Sequence, residues 1–336
     1  MSEPDSTQPA HEATSRAESS GRACRALITE YLGLIVALGV LILVFGLATT
    51  NFLSAANFRA IANQIPAAVL ISTGMTYVLV IAEIDLSVGS VLGLCSAVLG
   101  VALARWSLPL WLAVTLAVGA GLACGLFNGA VSIRWRLPSF IVTLGMLEMA
   151  RGAAHAVSGS RTQYIGSAIA GIAEAGAFGL SLPFLFAIAV VVIAQLVLTR
   201  TVFGRYLVAI GTNEEAVRLS GIDPRPIKLA VFLVAGLLVS LSAVVDTSRY
   251  QSANPNAGTG FELQAIAAVV IGGTSLMGGR GSVVSTFFGV LIIAVLNSGL
   301  AAVGARDETK RLVTGAVIVA AVVLDRYRHR WGKRAV

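Results

Sequence analysis

Two carboxylates stand where an apolar chain accommodates charge least well. The run Glu83-Ile84-Asp85-Leu86-Ser87-Val88-Gly89-Ser90 separates two apolar stretches that are otherwise nearly continuous. Charges at membrane depth are costly, and they mark solute or ion pathways or paired groups. Asp85, Ser87, Gly89 and Ser90 are therefore candidate pathway residues. The plainer reading is a tight turn in which Asp85 or Ser87 caps a helix beginning near Val88. Asp85 is expected to organise this break by capping or pairing, and not to carry protons.

A second such stretch is Phe261-Glu262-Leu263-Gln264, an apolar run, and then Gly272-Gly273-Thr274-Ser275 through Gly278-Gly279-Arg280-Gly281-Ser282. A phosphate-binding loop is excluded, because no Lys-Ser/Thr pair follows and the glycines interrupt an apolar region. Glycines there permit a broken helix or a turn at membrane depth, which is tolerated where backbone is buried in protein or lines a cavity. Glu262, Gly272, Gly273, Thr274 and Ser275 join the pathway candidates, together with Asn128 and Thr143 inside apolar runs. Val80, Ile81, Leu86 and Gly89 align at one offset with Val270, Ile271, Leu276 and Gly279, as in a parallel repeat.

A third segment is polar: Gly204-Arg205-Tyr206 through Gly211-Thr212-Asn213-Glu214-Glu215-Ala216-Val217-Arg218-Leu219-Ser220-Gly221. Asn213 is placed to N-cap a short helix with acidic residues in its first turn, and Gly221 to end it. Gly211 and Gly221 bracket that helix as points of chain reversal. A connector needs no such element; a docking surface does. Catalysis finds little support, since the histidines are His11, His155 and His329, and two of these lie in or near the tails. The three cysteines are dispersed, and no disulfide or zinc framework is legible.

The elements that must position these residues are membrane helices. Of the 336 residues, 56% are apolar and 12% charged, against about 25% charged in soluble chains. Apolar runs occupy about 31–50, 64–82, 88–104, 110–132, 138–157, 180–198, 227–245, 264–272, 283–303 and 312–325, and about 20 residues cross a bilayer core. The expected fold class is all-α: a polytopic membrane protein of about ten transmembrane helices with broken or re-entrant segments. Eight spans remain if the short runs are re-entrant. Lys and Arg concentrate in alternate loops, at 134–136, 200–228 and 326–334, which places both termini in the cytoplasm. Loops 51–63, 105–109, 158–179, 247–263 and 304–311 then lie outside, most with few cations; 304–311 is the exception, where Arg306, Lys310 and Arg311 oppose Asp307 and Glu308. This pattern also accounts for the net charge of +7 without nucleic acid. Residues 1–26 form a polar tail expected to be disordered and cytoplasmic, residues 27–328 the membrane domain with its loop at 199–226, and 329–336 a basic tail. Gly121, Gly125 and Gly129 share one helix face, first as a packing surface and alternatively as a pathway lining.

Several motifs in order resemble the permease subunits of the ribose/xylose/galactose class of ATP-binding-cassette importers. They are Ile84 to Ser90, Leu137-Pro138-Ser139-Phe140-Ile141-Val142-Thr143-Leu144-Gly145, Gly204 to Gly221, and Ala257-Gly258-Thr259-Gly260-Phe261-Glu262-Leu263 through Gly281. The resemblance covers about 50 to 325. It implies a non-catalytic subunit in a bacterial inner membrane, paired with a second permease copy and a cytoplasmic ATPase and fed by a periplasmic sugar-binding protein. The chain itself would bind no cofactor, with ATP and Mg held by the ATPase. Its loop from Gly204 to Gly221 would be the ATPase-coupling element, built on Gly204, Arg205, Tyr206, Gly211, Asn213, Glu214, Glu215, Ala216, Arg218, Leu219, Ser220 and Gly221. Glu83 departs from that family, where a glycine is usual. An ion-coupled secondary transporter is the alternative: it shares the acidic residues near broken helices but needs no docking helix.

Overall fold

The computed structural model describes residues 31–332 except 175 and 178. The expected tail at 1–26 lies outside these residues. Every apolar run becomes a helix: α1 (Tyr31–Ala48), α3 (Pro66–Val80), α4 (Val88–Ala104), α5 (Leu110–Trp135), α6 (Ser139–Ser158), α8 (Leu182–Arg200), α10 (Arg225–Tyr250), α11 (Phe261–Ile271), α12 (Val283–Ala302) and α13 (Asp307–Gly332). Between them lie α2 (Ala55–Gln64), α7 (Ser167–Glu174) and α9 (Val202–Leu219). Among the described residues, α1, α5, α6, α8, α10 and α12 are long and apolar enough to cross a membrane. The pair α2 and α3, bent by 47°, makes a seventh if counted as one span. α4 and α11 are apolar but shorter. α13 opens with the charged Asp307, Glu308, Lys310 and Arg311 and continues through 328, so no break separates a tail at 329.

Local chemistry sets the boundaries. Ser54, Ser181, Thr201 and Ser282 each cap the helix that follows, accepting an amide N–H three residues on. Pro66 opens α3, where its missing N–H is no loss and its fixed φ suits the first turn; the α2–α3 bend falls there. Two short antiparallel pairs, β1 (Gln163–Tyr164) with β4 (Ser252–Ala253) and β2 (Gly176–Ala177) with β3 (Leu180–Ser181), tie loops together.

The loops gather at two ends. At one end Arg105 Nη2 donates to Ser158 O at 2.7 Å, Gln163 pairs with Ala253, and Ser298 Oγ donates to Asn57 Oδ1 at 3.1 Å. At the other, Gly279 N donates to Val80 O at 2.9 Å, Tyr31 OH lies 3.2 Å from Ser282 Oγ, and Lys228 bridges Glu83 and Glu214. The two breaks, 81–87 and 272–282, meet at this second end, so α3 and α11 run the same way. That is the direction the 80–91 and 270–283 alignment requires.

α5 packs along α10 through the glycine face. A Cβ on Gly125 would overlap Phe232 O, and one on Gly121 would come within 2.6 Å of Gly236 O. Gly236 itself packs against the backbone of Gly121 and Gly125. Small residues let the two backbones touch where no hydrophobic drive joins helices. We expect Gly125→Leu to destabilise the bundle by at least the roughly 1–3 kcal/mol typical of overpacking. Thermal unfolding of the purified protein in detergent checks this; an unshifted transition would mean that α5 does not press on α10.

Candidate functional site

The break at 81–87 assembles the pathway candidates into one buried cluster. Asp85 Oδ1 accepts from Ser87 N at 2.8 Å and from Ser87 Oγ at 2.6 Å. Asn128 Nδ2 of α5 donates to Ser87 Oγ at 3.0 Å. Thr143 Oγ1 of α6 accepts from Leu86 N at 3.1 Å and donates to Ile84 O at 3.2 Å, and Ser139 Oγ accepts from Ile84 N at 2.9 Å. Asp85, Ser87, Ser90, Asn128, Ser139 and Thr143 are all buried. The unwound backbone is thus hydrogen-bonded by side chains of α6, while α5 reaches the Ser87 hydroxyl, as non-helical backbone at membrane depth requires. The capping expectation needs correcting in detail. Ser87 occupies the N-cap of α4, but its hydroxyl goes to Asp85 and caps nothing. Asp85 instead closes a turn on the Ser87 amide.

Glu262 reaches Gly89, in the first turn of α4, by a route the sequence did not disclose. The expected outer loop 247–263 is not simply outside. From Ala253 to Gly258 it runs down the face of α4: Ala253 lies against Gly100, the carbonyls of Pro255 and Ala257 against Gly93, and Gly258 against Gly89. Eleven helical residues separate Gly89 from Gly100, a descent of about 16 Å. Glycine is needed at these α4 positions because a Cβ at Gly89 would overlap Gly258 O. The dip explains why α11 has 11 residues: it starts inside the bundle. Glu262, in its first turn, lies against Gly89.

Arg151 holds this re-entrant segment. Its Nη1 donates to Pro255 O at 2.7 Å and to Ala257 O at 3.0 Å. One turn away, His155 Nε2 lies 3.2 Å from Asn256 Oδ1. Neither residue was a sequence candidate. The signal was present, since Glu148 and Arg151 are charges inside an apolar run and default to function.

Gly272, Gly273, Thr274 and Ser275 form the other break. Gly273, Gly278 and Gly279 have positive φ, and a Cβ on Gly272 would come within 2.7 Å of the Ser285 backbone. Thr274 Oγ1, Ser285 Oγ and Asn128 Oδ1 are buried without a hydrogen-bond partner among the described residues. Asn128 belongs to the Asp85 cluster through Ser87, whereas no hydrogen bond joins Thr274 or Ser285 to that cluster among the described residues.

The third candidate segment is more helical than expected. Gly204 to Thr212 lies in α9, which turns sharply at Asn213 (φ −162°, ψ 95°) and resumes to Leu219. Asn213 Oδ1 accepts from Ala216 N at 3.0 Å, and Gly221 ends the element at φ +85°. Gly211 does not reverse the chain; it sits in the helix, where a Cβ would overlap Val80 O at the end of α3. Glu215 and Arg218 pair at 2.6 Å on the exposed face, whereas Glu214 turns to Lys228 at 3.1 Å. Lys228 also pairs with Glu83, and both side chains are 13% exposed. A cleft of about 800 Å³ opens here, bordered by Glu83, Arg136, Glu215, Arg218 and Lys228.

Apolar helices broken at buried polar turns, with a capped helix against one break, define a multi-pass membrane transport protein. Residues 57–322 match the family described as branched-chain amino acid transport system / permease component, and the chain belongs to that family. It is 37% identical over 297 residues to the ribose import permease protein of Haemophilus influenzae, covering 87% of this chain and 92% of that one. The corresponding protein of Bacillus subtilis is 38% identical over 306 residues, covering 89% and 94%. The L-arabinose transport system permease protein of Escherichia coli is 31% identical over 310 residues, covering 92% and 94%. No solved structure matches the chain. The resemblance to ribose-class permease subunits, drawn from the motifs, is borne out by these relatives.

Proposed function

We propose that this chain is the membrane-spanning permease subunit of an ATP-driven importer carrying a monosaccharide or related small polyol across the bacterial inner membrane. The identity of 37–38% to ribose import permeases over about nine-tenths of the chain carries this reading. A second permease copy, a cytoplasmic ATP-binding-cassette ATPase and a periplasmic sugar-binding protein complete the assembly, with lipid around it. ATP and Mg belong to the ATPase, and this chain catalyses nothing.

In this reading α1, α3, α4, α5, α6, α8, α10, α11, α12 and α13 are ten passes, and both termini are cytoplasmic. The end holding α9 faces the cytoplasm and the end holding β1 and β4 the periplasm, because the loop cations gather at the former. A cysteine at Tyr164, which is well exposed, is expected to react with an impermeant maleimide in intact cells. One at Thr212 should react only in inverted vesicles. The opposite pattern would reverse the orientation.

The helix after Asn213 is the docking element for the ATPase. Glu215 and Arg218 are more than half exposed, and an exposed pair contributes about 0–1 kcal/mol to folding. Exchanging them, Glu215→Arg with Arg218→Glu, keeps a pair at the same spacing while inverting the surface. The expected result is normal membrane levels with loss of ATPase co-purification and of ATP-driven uptake. Wild-type uptake with an intact complex would remove the docking assignment.

A further inference from the structure

A cavity of about 470 Å³ opens at the periplasmic end of this one subunit, between α3, α10, α11 and α12. That volume lies within the roughly 300–1,000 Å³ of small-molecule sites. Its polar groups converge from separate helices: Asp246 of α10, Gln264 of α11 and Asn297 of α12, with the ring of Phe261 on the wall. Asp246 has no hydrogen-bond or ion-pair partner among the described residues. Two cations border the cavity: the charge of Arg249 acts on the Asp246 carboxylate, and Lys310 is paired outside it. Arg249 lies over the Tyr250 ring at 5.1 Å, and Lys310 Nζ pairs with Asp307 at 2.9 Å.

The floor is also polar. Ser72 lines the cavity, and Thr76, one turn further along α3, donates to Ser72 O and lies 2.8 Å from Thr286 Oγ1 of α12. Close by, at the break between α11 and α12, are the unpartnered hydroxyls of Thr274 and Ser285. Hydroxyls therefore continue from the cavity floor towards the glycine-rich break that touches α9 at Gly211.

We infer that this cavity is a solute site within a single permease subunit, taking a neutral polyhydroxylated ring, with the Thr76–Thr286 pair as its closed floor. The Asp246 carboxylate, which no hydrogen bond occupies, accepts from ring hydroxyls, the Gln264 and Asn297 amides add donors, and an aromatic face covers C–H surface. An anionic ligand would meet the Asp246 carboxylate, which offsets the charge of Arg249, and Lys310 is already paired with Asp307. The inference rests on the importer reading and gives the permease a share in choosing the sugar.

The test uses the assembled importer, with Cys24→Ser to remove the tail thiol and Ser298→Cys in the cavity wall. Alkylation by an impermeant maleimide from the periplasmic side is timed with and without D-ribose, D-allose, L-arabinose or D-fructose. At least one sugar is expected to slow the reaction severalfold, and that protection should disappear in Asp246→Leu and in the cavity-filling Ala294→Phe. Sodium phosphate should not protect. Equal rates with all four sugars would overturn the inference, and so would protection that survives both variants. A thiol that never reacts would mean that lipid or another chain covers the cavity, which also overturns it. ATP-driven uptake by the unsubstituted importer is measured in the same membranes. Its absence sinks the importer reading, whereas uptake without protection sinks only the site.

Discussion

Lys228→Glu is expected to abolish uptake while the protein still reaches the membrane, and Glu83→Lys added to it is expected to restore part of the activity. Lys228 stands between the helix after Asn213, through Glu214, and the break that carries Asp85, through Glu83. Coupling between an ATPase and a pathway needs an element that differs between states, and this triad is a direct charged connection from α9 to the break. The substitution places three carboxylates together in a mostly buried position. At an effective dielectric constant of about 20, two like charges 4 Å apart repel by about 4 kcal/mol. Beyond Val217, which is buried against the core, the helix after Asn213 has few other ties: the exposed Glu215–Arg218 pair lies within it, and the Asn213 cap hinges it. It should yield before the membrane helices do.

The measurement separates coupling from folding. Membrane level and thermal unfolding report the fold; uptake and the stimulation of ATP hydrolysis by loaded binding protein report coupling. In Lys228→Glu the first pair should stay near wild type and the second should be lost. Glu83→Lys with Lys228→Glu re-forms the buried pair with inverted sign. Glu214 then meets a carboxylate at 228, so recovery is partial. Normal coupling in the single variant would show that the triad only decorates the cleft.

Ten apolar runs were legible as helices because length and composition fix a membrane helix almost without tertiary information. The break at 81–87 was legible because charge inside an apolar stretch has few explanations. The helical first half of α9 was hidden by Gly204 and Arg205, although Phe203, Leu207 and Ile210 have helical spacing and Leu207 and Ile210 are buried. The dip at 253–258 had no periodicity to read. Its trace was in its neighbour, where Gly89, Gly93 and Gly100 leave room on α4 for another backbone. Gly211 shows the general difficulty: the sequence marks that a Cβ is absent, but only packing tells whether a turn or a contact requires it.

Asp85 distinguishes the two classes of transporter. Asp85→Leu is expected to lose transport and much of the folded protein, while Asp85→Asn should retain both. In the native cluster one carboxylate oxygen accepts two hydrogen bonds, and Asn128 reaches the same group through Ser87. Leucine leaves the Ser87 amide and hydroxyl without their acceptor in a buried site, at a cost of about 1–3 kcal/mol for each unsatisfied group. Asparagine presents a carbonyl oxygen at the same point and keeps both bonds. Asn128 Oδ1 is already without a partner, so the added amide N–H has an acceptor available nearby. If Asp85 only shapes the break, Asp85→Asn transports with unchanged dependence on ATP. If transport is lost in Asp85→Asn at normal membrane levels and normal thermal stability, the charge itself is required. Uptake in the wild type should then follow an imposed proton or sodium gradient without ATP, and the ion-coupled reading would replace the importer.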